Sequence, residues 1–493
     1  MNHYNQLAGQ LIMIRFPGTE LDAATADFLR TNSVRGVCLF RGNMVNSEQL
    51  TRLTSDLRAV MGPNALIAID QEGGAVVRST WVPAPPAAMG LGAADDVQLA
   101  SSIGAAVARA VKALGFNWNF APVLDLNNNP HNPVIAERSF GADPQRATDL
   151  ATAWMAGSET EGVACCVKHF PGHGDTHVDS HRDLPTVDKS LAELEALEFK
   201  PFRLAGNRAP AIMTAHIVYP ALDAEFPATM SRRILHDLLR TEWDYRGVII
   251  TDGMDMHAIA GRYGAGAAAV RALVAGADMV MALGTPETQA ETIAAIAAAI
   301  ESGQLPMEEV NTRLKRLGDL ASAYPCQPRA YHEDAADRLV MAHGWRRCLT
   351  ARGNPQRPPV GTKVRLVVRQ DVVSDGVSEA GVPAAVVATS LGRLYDVDLV
   401  TFADAETFDW NALPDDGRFT FLASTSRLRY GPNARSNWKP DLHLALWNPY
   451  QALDIDAPAL ITYGFATPAL DAVDAWLAGT LEAQGKCPVP GFE

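Results

Sequence analysis

Eight short apolar runs, rich in β-branched residues, recur through the first two-thirds of the chain and limit the folds open to it. They are QLIMIRF (10–16), GVCLF (36–40), ALIAID (65–70), FNWNFAPVLD (116–125), VACCVKHF (163–170), AIMTAHIVYP (211–220), GVIITDG (247–253) and DMVMALG (278–284). Between them, segments such as SEQLTRLTSDLRAVM and SRRILHDLLRTEW carry apolar residues three to four apart, the period of a helix with one buried face. Strands that are apolar throughout are buried on both sides, as in a parallel sheet covered by helices. The alternation predicts an α/β fold with a (β/α)8 TIM-type barrel over residues 1–325. A doubly wound open sheet is the competing arrangement, because periodicity does not separate the two.

Polar residues favour the barrel. Asp70, Asp125, Lys168 with His169, His216 and Asp252 all fall at the C-terminal ends of these runs. In a barrel those ends meet on one face, the face on which active sites are built.

After PMEEVNTRLKRLGDLASAY the pattern changes. Residues 326–362 read as a helical segment and a linker, ending in the Pro/Gly/Arg-rich ARGNPQRPPVGTK. A second alternation follows over 363–493: KVRLVVRQ, a helix-like stretch near 384–394, DVDLVTF, RFTFLAST, LHLALW, ALITYG and TPALDAVDAWLAG. It predicts a smaller α/β (αβα) sandwich domain. Two domains also suit 493 residues, since single cores stop growing near ~250–300.

The formal charge of -14, spread along the chain, argues against nucleic acid or an anionic membrane as partner. Cys38, Cys165, Cys166, Cys326, Cys348 and Cys487 are too scattered for a disulfide framework. The amino terminus has no basic segment before an apolar one, and no apolar stretch approaches the ~20 residues that span a bilayer. These features predict a cytoplasmic protein with reduced thiols.

The stretch KHFPGHGDTHVDSH (168–181) places His169, His173, His177 and His181 four residues apart. On a helix this would stack imidazoles as metal ligands. Pro171, Gly172 and Gly174 oppose a helix, so the stretch reads as a loop leaving a strand. A metal-dependent barrel hydrolase, with histidines gathered by the loop, is the reading from another class. Asp179 and His181 read in two ways: a plain loop with an Asx-turn at Asp179, which residue types alone favour, or a carboxylate that fixes the imidazole tautomer and raises its basicity, making a general acid/base.

Together with the proline of RDLP, this stretch closely resembles the signature of glycoside hydrolase family 3, in its bacterial β-N-acetylglucosaminidase subgroup. IDQEGGAVVR (69–78), APVLDLNNNPHNPVIAERSFG (121–141) and VIITDGMDM (248–256) resemble further family segments in the same order. The likeness covers about residues 1–325, and the remainder resembles the α/β sandwich that many members carry. It implies Asp252 as the nucleophile of a retaining mechanism, with Asp255 as the rival within TDGMD. It implies His181 as general acid/base with Asp179 as its orienting partner. Asp70, Arg78, Arg138, Lys168 and His169 match positions that hold the terminal sugar, while His173 shapes the loop and His177 is a bystander.

The expected activity is retaining exo-β-glycoside cleavage, foremost of terminal β-linked N-acetylglucosamine. No cofactor or metal is implied. A histidine base, unlike a carboxylate, does not repel an anionic acceptor, so inorganic phosphate is an alternative co-substrate. The subgroup also includes β-glycoside phosphorylases. The loop RQDVVSDGVSEAG (369–382) is a place where the second domain could contact that acceptor.

Overall fold

The computed structural model describes residues 3–177, 184–374, 377–378 and 381–492. Eight parallel strands close a barrel in sequence order: β1 (Ile12–Ile14), β2 (Gly36–Cys38), β3 (Leu66–Ile69), β4 (Trp118–Asn119), β5 (Ala164–Phe170), β6 (Ala211–Thr214), β7 (Val248–Gly253) and β8 (Met279–Ala282), with β8 returning to β1. Each of the eight apolar runs supplies one strand. The strands are buried almost throughout, which is why they read as apolar runs rather than alternating ones.

Some strands are shorter than their runs. FNWNFAPVLD contributes only Trp118–Asn119 to the regular ladder, because Pro122 has no N–H to donate; a single bridge from Val123 to Lys168 continues the pairing. SRRILHDLLRTEW forms a helix, but Arg233–Glu242 is wound in the wider π form, burying Ile234, Leu235, Leu238 and Leu239.

A second, six-stranded sheet follows. Its strands are β9 (Thr350–Arg352), β10 (Lys363–Arg369), β11 (Asp396–Phe402), β12 (Phe419–Ser424), β13 (Leu442–Ala445) and β14 (Ala459–Ile461), in the order β9-β14-β13-β12-β10-β11. All neighbours are parallel except β9, which runs antiparallel along β14. Strand β9 lies within the stretch read from sequence as linker. Three residues are too few to show a period, and Ala351 and Arg352 are not apolar enough to mark a buried run.

Alternate residues of this sheet serve two cores. Val364, Leu366, Val368, Phe421 and Ala423 join the helices Ala384–Leu391 and Thr467–Leu477 on one face. Val367 and Leu422 face Phe402, Trp410, Tyr430 and Trp438 on the other. The helix Ala335–Cys348 packs against the barrel helix Val97–Ala113 and against Thr467–Leu477, so the connecting segment lies between the two units. Among the described residues no helix is long and apolar enough to cross a membrane.

Two barrel helices meet at backbone contact. A Cβ on Gly104 of Val97–Ala113 would stand 2.1 Å from the Trp154 carbonyl oxygen, and one on Gly157 of Pro144–Thr160 would stand 2.0 Å from that of Ser101. Gly157→Ala should therefore cost about 1–3 kcal/mol by forcing the helices apart, read as a lowered denaturant midpoint. An unchanged midpoint would show that the helices can separate freely.

Candidate active site

The ionisable strand ends do converge. A pocket of about 160 Å³ opens on one end of the barrel, lined by Asp70, Lys168, His169 and Asp252, and also by Glu72, Arg78 and Arg138. Asp125 and His216 sit just behind it: Asp125 binds His169, and the His216 Nε2 lies 2.9 Å from the Gly253 carbonyl oxygen.

The wall begins at β3. After Ile69 the chain makes a tight hairpin, Gln71–Gly73 against Val76–Val77, which turns Arg78 back over Asp70. Gln71 is buried and ties both arms: its Oε1 accepts from the Arg78 N–H at 3.0 Å and its Nε2 donates to the Ser79 carbonyl at 3.0 Å. Arg78 Nη2 then lies 3.3 Å from Asp70.

Lys168 stands at the end of β5, with its Nζ 2.7 Å from Asp70 and 2.6 Å from Glu72. Arg138 holds Glu72 through both its Nε, at 2.9 Å, and its Nη2, at 2.8 Å. The ladder between β5 and β6 shifts register between Val167 and Phe170, and the consecutive residues Lys168 and His169 both line the pocket.

These groups perturb one another strongly. Burial raises the Asp70 carboxyl pKa, but the Lys168 and Arg78 charges outweigh it and hold the group below its ordinary range. Burial likewise opposes ionisation of Glu72, yet Arg138 and Lys168 carry it well below the usual carboxylate value. Burial alone would lower Lys168, whereas Asp70 and Glu72 keep it raised. All are charged at neutral pH.

Asp125 organises the next layer. Its carboxylate accepts the backbone N–H of His169 and, at 2.6 Å, that of His173, and lies 2.7 Å from the His169 Nδ1. Burial opposes its ionisation, but its close contact and hydrogen bond with His169 hold its pKa low. His173 lines the pocket as well; burial, helped by the neighbouring His169, pushes it down to about 4 and leaves it neutral at pH 7.

From Pro171 to His177 the chain is a loop, as Pro171 and the glycines require. Asn132 of the β4 loop donates to the carbonyls of His173 at 2.9 Å and Gly174 at 3.0 Å. A Cβ at Gly174 would lie 1.5 Å from the Leu126 carbonyl oxygen, so only glycine permits that approach. Asn129 lies 3.2 Å from the His177 Nδ1, which gives His177 a partner in the scaffold. Asp179 and His181 lie outside the described residues. Among the described residues no cluster of three or more His, Cys, Asp or Glu side chains is disposed to hold a metal ion.

Asp252 closes β7, and its Oδ1 accepts the Gly253 N–H at 2.7 Å. Asp255, its rival, stands at the rim, 3.3 Å from Arg15 and about one-third exposed. Sequence reasoning missed Glu72, although it lies two residues beyond Asp70, and named Asp125 only as a strand end. It named no single pocket residue in the second domain; the structure brings Val377, of the loop 369–382, to the pocket wall.

The sequence matches the Glycosyl hydrolase family 3 N terminal domain over residues 5–320, and the chain belongs to that family of glycoside hydrolases. It is 38% identical over 324 residues to a beta-hexosaminidase of Chromobacterium violaceum, a match covering 63% of this chain and 87% of that one. Beta-hexosaminidase A of Pseudoalteromonas piscicida is 33% identical over 388 residues, or 73% of this chain; the match spans only 62% of that relative's length. Among solved structures, a glycoside hydrolase family 3 beta-N-acetylglucosaminidase from Paenibacillus sp. str. FPU-7 superposes with a TM-score of 0.88 at 30% identity, covering 99% of this chain and 98% of that one.

Glu72 offers a direct test of the charge network. Its folded pKa is depressed, so its contribution is present above the unfolded value of about 4.3 and is lost as pH falls below it toward the folded value. Glu72→Gln should cost about 3–5 kcal/mol at pH 7, because Arg138 and Lys168 lose a buried partner. The difference from the parent should shrink as pH falls below about 4, in urea unfolding across that range. A pH-independent difference would rule the linkage out.

Proposed function

We propose that the protein is a retaining exo-β-glycosidase that releases terminal β-linked N-acetylglucosamine. The observation that carries this reading is the meeting of Asp252 with Asp70, Arg78, Arg138, Lys168 and His169 around one small pocket. Vicinal hydroxyls of a pyranose suit carboxylates and guanidinium groups that bind two at a time. Four cations (Arg15, Arg78, Arg138, Lys168) face four carboxylates (Asp70, Glu72, Asp252, Asp255), a balance that fits a neutral polyhydroxylated ligand better than an ion. The 2-acetamido preference is drawn from the named relatives rather than from any single contact.

In this reading the Asp252 carboxylate attacks the anomeric carbon as the glycosidic C–O bond breaks. The leaving oxygen takes a proton from the His181 imidazolium, which Asp179 orients. A covalent glycosyl-enzyme results, and His181, now neutral, removes a proton from the water that releases the sugar. Asp252 is favoured over Asp255 because it sits on the strand itself, whereas Asp255 is engaged by Arg15 at the rim. His181 as a neutral base leaves phosphate admissible as the second acceptor.

Asp252→Ala should lower kcat on an aryl β-N-acetylglucosaminide by at least about a thousandfold. A 2-deoxy-2-fluoro glycoside should label Asp252, located by peptide mass; label on Asp255 would overturn the assignment. His181→Ala should slow glycosides with poor leaving groups far more than activated aryl glycosides, and equal slowing would remove His181 as proton donor. Running the aryl glucoside and its 2-acetamido analogue with and without inorganic phosphate tests the rest. Free N-acetylglucosamine as the product in both buffers is expected, and a sugar 1-phosphate would make the enzyme a phosphorylase.

A further inference from the structure

The second domain reaches the pocket through the loop after β10, and its contacts fall on the two segments that carry Arg78 and Arg138. The Val377 carbonyl oxygen accepts from Arg78 Nη1 at 2.9 Å, on the same guanidinium whose Nη2 faces Asp70. The Val377 side chain packs with Val76 of the hairpin and with Val134 and Ile135 beside Arg138, in a small cluster of buried apolar residues. Ser378, the next residue, hydrogen-bonds Arg427 through its hydroxyl and accepts from the Ser374 hydroxyl at 2.6 Å through its carbonyl.

Arg427 in turn crosses to the barrel. Its Nη2 lies 3.1 Å from the Glu137 Oε1, and the Trp447 indole N–H donates to the same oxygen at 2.8 Å. Glu137 precedes Arg138 in the single turn Ala136–Arg138. One turn thus sends a carboxylate into the second domain and a guanidinium into the pocket. The side chains of Glu137 and Arg427 are 1% and 5% exposed. A buried ion pair gives little net stability, because desolvating both charges offsets their attraction, but it fixes register where two surfaces could otherwise slide.

We infer that Glu137 and Arg427 form a latch through which the second domain aims Arg78 at the pocket, by seating Ser378 and hence the Val377 carbonyl. Arg427 and Glu137 are positioning residues, and neither lines the pocket. This rests on the reading of Arg78 as a sugar contact. A charged guanidinium tethered at one end by a fixed carbonyl keeps its other nitrogens directed at Asp70; without the tether it loses that orientation.

The test is a double-mutant cycle in the full-length protein, with Arg427→Gln, Arg78→Lys and the pair. Arg427→Gln alone should lower kcat/KM on the aryl glycoside by about ten- to a hundredfold, the range for a lost hydrogen bond to a charged group. In the Arg78→Lys background the same change should cost no more than about threefold. Independent, multiplying effects would overturn the latch as an aiming device and leave it a mere domain contact. Glu137→Gln, which keeps the shape, should show the same coupling and serves if Arg427→Gln folds poorly. Amide exchange gives a readout that needs no substrate: residues 71–79 should exchange faster in either latch variant while β12 and β13 keep parental protection. Unaltered exchange at 71–79 would also overturn the proposal. If the parent turns over no aryl glycoside, the proposed function fails, and the exchange result still decides the latch.

Discussion

The site depends on one buried ion network, in which Lys168 lies between Asp70 and Glu72 while Arg78 and Arg138 close its two ends. Each charge is tolerable only because the others are present. A lone carboxylate at this depth would take up a proton, and a lone ammonium would lose one. The groups come from the ends of different barrel strands, so the network also fixes where β3, the β4 loop and β5 stand relative to each other. The pocket is thereby held to shape before any ligand arrives, which is what transition-state stabilisation by fixed charges requires.

A layer deeper, Asp125 has a similar organising role. It gathers the backbone N–H groups of His169 and His173 and anchors the start of the loop that follows Phe170. The asparagines of NNNPHN then carry that loop by its carbonyls. A segment full of proline and glycine cannot supply its own hydrogen-bonding partners as a helix does. Here the neighbouring loop supplies them, so the irregular stretch from His173 to Thr176 is held in place by Asn129 and Asn132.

Much of the barrel was legible because its strands are apolar and buried on both faces while their C-terminal ends turn ionisable. The same contrast made Asp70, Lys168, His169 and Asp252 stand out, each at the point where an apolar run gives way to ionisable groups. Glu72 escaped because its partners, Arg138 and Lys168, are distant in sequence, and a Glu in a Gly-rich hairpin looks like solvent-facing turn chemistry. Strand β9 was hidden by its length and by the prolines that follow it. Which residue of the loop 369–382 would enter the pocket was beyond any local pattern: a valine in a loop carries no sign of what its carbonyl will meet. Arg427 was illegible for the same reason, since arginine is ordinarily a surface residue and only the fold shows it buried against Glu137.

The short antiparallel strand β9 has a consequence for the molecule's behaviour in a crowded solution. An open sheet exposes two rows of unpaired backbone groups, each able to recruit a strand from another molecule. On one side the border is β9 itself, only three residues long, with Thr350 bridged beyond it to Gly485. The opposite border, β11, is half-exposed and carries Asp396 and Asp398, with Arg418 paired to Asp398 beside it. One border is short and bridged at Thr350 by the chain's own backbone, and the other carries charge, two devices that blunt a sheet edge. A connection that looks like mere tether thus supplies the sheet with a short edge strand.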